Sequence, residues 1–196
     1  TLKSGRVAPY FLNMGKFCTG ASLSALGRFY AEAYLASGWE ADVIFGPAYK
    51  GIPLSVITTS VLYTQFQKNL GYAFNRKEAK DHGEKNLLVG APLSENTRVV
   101  LIDDVITAGT AIREVLEILK ANGNPQIVGV LIAMNRMEKN NDGENALEAI
   151  EKNQGVKVFS IVNLDDVIEA LYNRRVGGQI YVDDAQMDVI RTYRAQ

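Results

Sequence analysis

Short apolar and β-branched runs alternate with stretches of helical period along this chain, and that alternation leaves few folds open. Residues 19–37 place Leu23, Leu26, Tyr30 and Ala33 at helical spacing and stop at Gly38. Val43-Ile44-Phe45 reads as a short buried strand, 52–66 as a helix despite its β-branched content, and 70–74 as a weak strand. Residues 98–102 form a strong buried strand. Residues 110–121 carry Ile112, Val115, Leu116 and Leu119 on one helical face, with Gly123 and Pro125 as stop signals. A strand at 126–134, a helix at 144–153, a strand at 156–162 and helices at 164–172 and 183–194 complete the pattern. Strands that alternate with helices in this way build an α/β domain, a parallel sheet covered on both faces. In such sheets ligands bind beyond the carboxyl ends of the strands. Segments 46–51, 103–110 and 135–143 directly follow strands, so chemistry is expected there. Segment 75–90 is long and polar, as functional lids often are.

Composition removes several classes. The 196 residues are 47% hydrophobic and 22% charged, which suits one globular domain rather than a disordered chain. No apolar run approaches the roughly 20 residues of a membrane-crossing helix. With 21 basic and 22 acidic residues the net charge is −1, against the basic excess of a dedicated nucleic-acid binder. Cys18 has no partner for an internal disulfide and no signal-peptide pattern opens the chain, so a reducing, cytoplasmic setting is expected. His82 is the single histidine; there is no Cys/His cluster for zinc and no Gly-x-Ser-x-Gly elbow.

The segment from Val99 to Thr110 carries the most chemistry. Four apolar residues end in Asp103-Asp104, and Val105-Ile106-Thr107-Ala108-Gly109-Thr110 leads into a helix. Gly109 permits a tight turn and Thr110 can cap the helix. Backbone N–H groups of such a turn cradle a phosphate. Two acids beside an anion cradle would repel the ligand unless they grip sugar hydroxyls or a metal outside the phosphate. A ribose 5-phosphate meets both demands. In segment 46–51, Gly46 and Gly51 bracket a turn that can present N–H groups to a pyrophosphate, with Lys50 adding charge; alone, it is also an ordinary strand-to-helix turn. Segment 75–90 sets Arg76, Lys77, Lys80, His82 and Lys85 against Glu78, Asp81 and Glu84. Alone, that is also a solvated charged loop.

The acid-pair segment resembles the phosphoribosyl diphosphate signature of the type I phosphoribosyltransferases. Thr1-Leu2-Lys3-Ser4-Gly5-Arg6 with Pro9-Tyr10-Phe11, Gly46-Pro47-Ala48-Tyr49-Lys50-Gly51, and Asn75-Arg76-Lys77-Glu78-Ala79-Lys80-Asp81-His82-Gly83 resemble the orotate-specific branch, in the same order over residues 1 to about 136. The resemblance implies a type I phosphoribosyltransferase fold: a parallel-sheet core flanked by helices, with a small N-terminal hood. It implies a single domain over 1–196, hood about 1–37 and core about 38–196. The hood is incomplete if residues before Thr1 have been lost, and the length leaves no room for a fused decarboxylase.

The resemblance further implies a pentosyl transfer: orotate plus 5-phosphoribosyl 1-diphosphate giving orotidine 5′-phosphate and pyrophosphate, with Mg²⁺, in UMP biosynthesis. Lys80, Asp103 and Asp104 are the implied catalytic residues. Tyr49, Lys50, Arg76, Lys77, Lys80, His82, Asp103, Asp104 and residues 105–110 (Val105, Ile106, Thr107, Ala108, Gly109, Thr110) would bind phosphoribosyl diphosphate. Lys3, Phe11, Leu12, Thr107 and Arg136 would meet orotate, whose carboxylate calls for a fixed cation. Taken alone, Arg136 also reads as a surface arginine and Phe11 as a core residue. The family usually has two aromatics where this chain has Phe11-Leu12, so Leu12 weakens the site if a second ring stacks on the base. No direct protein cage for magnesium is expected, the ion being held mainly by substrate with Asp103 and Asp104 nearby. Segment 75–90 would be a catalytic loop that completes the neighbouring subunit's site, making a homodimer; no nucleic-acid or membrane partner is implied. Two rivals are a purine-type phosphoribosyltransferase and a non-enzymatic regulator that senses phosphoribosyl diphosphate.

Overall fold

The structure, a computed structural model, describes residues 8–77, 87–106, 109–138 and 143–195. A 3₁₀ turn, Met14–Lys16, precedes α1 (Gly20–Ala36), β1 (Val43–Phe45), α2 (Gly51–Phe66), β2 (Gly71–Asn75) and β3 (Leu88–Gly90). Then come β4 (Arg98–Asp103), α3 (Thr110–Ala121), β5 (Gln126–Asn135), α4 (Ala146–Gln154), β6 (Val158–Asn163) and α5 (Leu164–Leu171). A hairpin of β7 (Arg175–Val176) and β8 (Gln179–Ile180) leads to α6 (Asp184–Ala195).

Six strands form one sheet in the order β3-β2-β1-β4-β5-β6, with every neighbouring pair parallel except β2 with β3. The alternating pattern therefore yields the expected parallel core, with one antiparallel edge strand that the pattern does not announce. β3 is three residues long and pairs only with β2, too short to show a period.

The apolar run of β4 is buried on both faces, as a parallel sheet requires. Val100 and Ile102 point to one side, into a core with Leu26, Tyr30 and Tyr34 of α1, Leu54 and Leu62 of α2, and Ile44 of β1. Val99 and Leu101 point to the other, into a core with Ile112, Val115 and Leu119 of α3, Phe45 of β1, and Ile132 of β5. Period-2 alternation along the apolar run of β4 thus contributes side chains to both cores. A third, smaller cluster joins Val182, Met187 and Ile190 to Tyr10, Ile168, Leu171 and Tyr172. It ties the N-terminal segment to the C-terminal helix.

The helix starts have local causes. Thr19 and Ser22 form a reciprocal capping box at α1. Asn145 accepts from the Leu147 and Glu148 N–H groups and starts α4 two residues later than the apolar spacing predicts. The hairpin was also absent from the sequence expectations. Its turn is Gly177-Gly178, both at positive φ, a legible signal for a two-residue hairpin loop.

Candidate active site

The parallel strands bring four chain segments to one edge: 46–51 after β1, 75–77 at the end of β2, 103–106 at the end of β4, and 135–138 at the end of β5. Asp103 ends β4 and Asp104 follows it. The Asp103 carboxylate accepts the Asp104 N–H at 2.9 Å, and the Asp104 carboxylate accepts the Val105 N–H at 2.8 Å. The Asp104 carbonyl accepts the Ala133 N–H of β5 at 2.9 Å. The acid pair is therefore built into the sheet edge rather than hanging from it, and Asp104 is only 4% exposed.

Charge is handled unequally within the pair. Asp104 takes the Lys50 ammonium at 2.6 Å. Lys50 therefore bridges the β1 and β4 turns, and this bond holds its ammonium above the usual lysine range. Asp103 has no such bond. Burial, with the adjacent Asp104 charge adding to it, pushes its carboxyl up to about 6.

Two positioning groups were not singled out from the sequence. Tyr30, on α1 and fully buried, donates its hydroxyl to the Asp103 carbonyl at 2.9 Å. Helical spacing marks Tyr30 as core and says nothing of its hydroxyl, which must find a partner when buried. Burial also raises its phenol above the ordinary range. Asn75, at the end of β2, accepts the Ala48 N–H at 3.2 Å and donates to the Arg76 carbonyl at 3.2 Å. It holds the 46–51 turn against the start of segment 75–90, through a contact between distant residues that spacing does not reveal.

The 46–51 turn is closed on itself. A Cβ on Gly46 would stand 2.0 Å from the Gly51 carbonyl oxygen, so only glycine fits. The Ala48–Tyr49 peptide is cis. Tyr49 is exposed, and the Lys77 ammonium lies 5.3 Å from its ring centroid. The Arg76 N–H donates to the Leu87 carbonyl at 2.8 Å and joins the two ends of the intervening segment. After the acid pair, Ile106 anchors the turn in the second core, and Gly109 adopts φ +70° immediately before Thr110 opens α3. Val105 lies half-buried beside the acids.

Arg136 sits elsewhere along the same edge, in a cluster of its own. Its guanidinium donates to Glu138 at 3.1 Å and lies 5.9 Å from the Tyr10 ring centroid. The side chain is 10% exposed, so it is not a free surface arginine. Phe11 is 85% exposed and is not a core residue, while Leu12 packs against the first core. Lys3, Lys80, His82, Thr107 and Ala108 lie outside the described residues. Among the described residues no cluster of three or more Asp, Glu, His or Cys side chains forms a metal cage. The donors at hand are the two carboxylates of Asp103 and Asp104.

A parallel sheet whose open edge carries an acid pair, a glycine-bounded cationic turn and a strand-to-helix turn defines a class of protein. A family model described as the phosphoribosyl transferase domain matches residues 19–163. The chain is 52% identical over 200 residues to an orotate phosphoribosyltransferase of Pseudomonas aeruginosa, covering 100% of this chain and 88% of that protein. It is 45% identical over 197 residues to one from Lachnoclostridium phytofermentans, with the same coverage. The crystal structure of orotate phosphoribosyltransferase from Francisella tularensis superposes with a TM-score of 0.82 at 38% identity, covering 100% of this chain and 89% of that one. The chain belongs to the orotate phosphoribosyltransferase family.

Proposed function

We propose that the protein transfers the 5-phosphoribosyl group of 5-phosphoribosyl 1-diphosphate to orotate, forming orotidine 5′-phosphate and pyrophosphate in UMP synthesis. The observation that carries this is the buried acid pair next to Lys50, in a chain about half identical over its whole length to proteins of that name. We read the chain as one phosphoribosyltransferase domain, with Tyr10 packed on the cluster that includes Met187 and Ile190 of α6.

The mechanism follows from where charge develops. Cleavage of the C1–O bond leaves positive character on the ribose and more negative charge on pyrophosphate. Lys50, Arg76, Lys77 and Lys80 stabilise the leaving group, and His82 adds a further contact to it. Asp103 and Asp104 hold the ribose hydroxyls and favour the positive ring. The turn 105–110 holds the 5-phosphate through backbone N–H groups at the start of α3 and contributes positioning. Loss of one such electrostatic contact costs about 2–4 kcal/mol in the transition state. Orotate lies between Lys3, Phe11-Leu12, Thr107 and Arg136, with its carboxylate toward a cation.

Magnesium fits this donor set in one way. Asp103 and Asp104 offer hard oxygens but too few for a protein cage, so the ion would be shared with substrate oxygens and water. When bound it neutralises charge on the leaving group. The protein's own residues then have to align substrate and keep Lys50 directed at the pyrophosphate.

The active unit is a homodimer whose 75–90 segment completes the partner's site. We place it in the cytoplasm, since Cys18, the chain's one cysteine, is a free thiol. The test is absorbance-monitored consumption of orotate with phosphoribosyl diphosphate and Mg²⁺. Turnover of adenine or guanine with none of orotate would overturn the reading.

A further inference from the structure

Glu138 stands three residues beyond β5 and has no part in the scheme above. Its side chain is 9% exposed, yet it gathers three donors from three parts of the chain. Oε1 accepts the Arg136 Nη2 at 3.1 Å and the Tyr10 hydroxyl at 3.0 Å, while Oε2 accepts the Tyr193 hydroxyl at 2.7 Å. The Arg136 carbonyl is 3.3 Å from the same Tyr10 hydroxyl. The Tyr10 and Tyr193 rings meet edge to face with centroids 6.1 Å apart. The N-terminal segment, the loop after β5 and the C-terminal helix α6 thus converge on one carboxylate.

A buried carboxylate with this donor set acts on Arg136 more than on the fold at large. Arginine has a long side chain with much rotamer freedom, and a planar fork recognises a carboxylate only when its plane is held. Here the guanidinium is held by its bond to Glu138 and by the neighbouring Tyr10 ring. Among the described residues the guanidinium makes no other hydrogen bond, which leaves its remaining N–H donors for a ligand. The group borders a cavity of about 220 Å³ whose lining also includes Asn145 and Arg194. The Ala133 N–H bonded to the Asp104 carbonyl lies three residues before Arg136 on the same strand and loop. The arginine therefore leaves the end of β5 beside the strand that carries the acid pair.

We infer that Glu138 is a positioning residue for the orotate end of the reaction: with Tyr10 and Tyr193 it fixes the Arg136 guanidinium so that its outward donors meet the substrate carboxylate. The inference rests on the reading of Arg136 as the cation for orotate. A role through Arg136 touches one substrate only, whereas a general packing role would move both.

Steady-state kinetics of the full-length enzyme, varying each substrate separately, decide it. Glu138→Ala should raise the KM for orotate about tenfold and leave the KM for phosphoribosyl diphosphate within about twofold. Glu138→Gln keeps an acceptor for Arg136 and an amide that can donate to the Tyr193 oxygen, so it should recover most of the loss. In an Arg136→Ala background, Glu138→Ala should have no further effect on orotate, because the group it acts through is gone. Additive effects, equal changes in both KM values, or no change in a folded Glu138→Ala enzyme would overturn the inference. An Arg136→Ala enzyme with unchanged orotate KM would instead show that the cation for orotate lies elsewhere, a result separable from failure at Glu138. If Glu138→Ala does not fold, Tyr193→Phe keeps the ring and removes one donor. It should raise the orotate KM about two- to threefold with the other KM unchanged, and equal movement of the two would overturn the proposal.

Discussion

Single residues in this site carry charge in ways that burial sets. Asp104 is buried, but its carboxylate meets an exposed lysine and a backbone N–H rather than apolar neighbours. Asp104→Asn retains an oxygen for the Val105 N–H and loses the Lys50 pair, so thermal unfolding should shift by no more than about 1 kcal/mol. Turnover should fall by the equivalent of about 2–4 kcal/mol, because the lost charge is one we propose to hold the reacting ribose. Parallel melting curves and kcat measurements check this, and near-normal turnover in a folded variant would remove Asp104 from the mechanism. Asp103 gives a pH signature. Its carboxyl is raised by burial to about 6 from an ordinary 3.8. A raised folded-state value favours the neutral form, so its contribution to stability is present below about pH 4 and lost as pH rises through about 6. The role we propose for Asp103 needs the ionised form, so kcat/KM for phosphoribosyl diphosphate should rise over the same interval that stability falls. The limb belongs to the Asp103–Asp104–Lys50 group as a unit. Asp103→Asn should flatten the pH dependence of stability there, and a melting profile unchanged by the substitution would place the titration elsewhere.

At the scale of elements, the site depends on turns that only certain backbones can make. Gly46 and Gly51 approach so closely that a Cβ on Gly46 would fall inside the Gly51 carbonyl oxygen. Backbone cannot retreat as a side-chain end can, so Gly46→Ala must move the whole 46–51 turn and Lys50 with it. Loss of the Lys50–Asp104 bridge should raise the KM for phosphoribosyl diphosphate by at least about tenfold and destabilise the protein by about 2 kcal/mol or more. Urea unfolding and substrate-varied kinetics measure both, and an Ala variant with normal values would show that the turn has slack. Gly109 is less confined. The atom its Cβ would meet, at 2.8 Å, is in the Ile150 side chain, although its φ of +70° also disfavours any other residue. Much of this scale was readable from the chain. The β4-to-α3 unit has its strand, acids, glycine and helix in register, and 19–37, 52–66 and 183–194 became α1, α2 and α6 with no bound moved by more than one residue. β3 was not readable, since three residues at a sheet edge owe their structure to the partner strand.

For the whole molecule, the consequence to test is the shared site. If segment 75–90 completes a partner's site, Lys80→Ala and Asp104→Asn place their defects in complementary halves. A mixed dimer then has one site with both defects and one with neither. Mixing the two inactive variants under conditions of subunit exchange should restore about a quarter of the wild-type rate. Demonstrated exchange without recovered activity would confine each site to one chain.

The local code of this protein lies in its sequence: which runs bury on two faces, where acids follow a strand, which turns require glycine. Those are short-range properties, set by period, side-chain volume and backbone freedom within a dozen residues. Tertiary structure alone decided which distant groups share a bond. Tyr30 reaches the Asp103 carbonyl across 73 positions, Lys50 reaches Asp104 across 54, and Tyr10 reaches Glu138 across 128. None of these contacts leaves a periodic trace, because a buried polar group is satisfied by whatever the fold brings within 3 Å rather than by its neighbours in the chain.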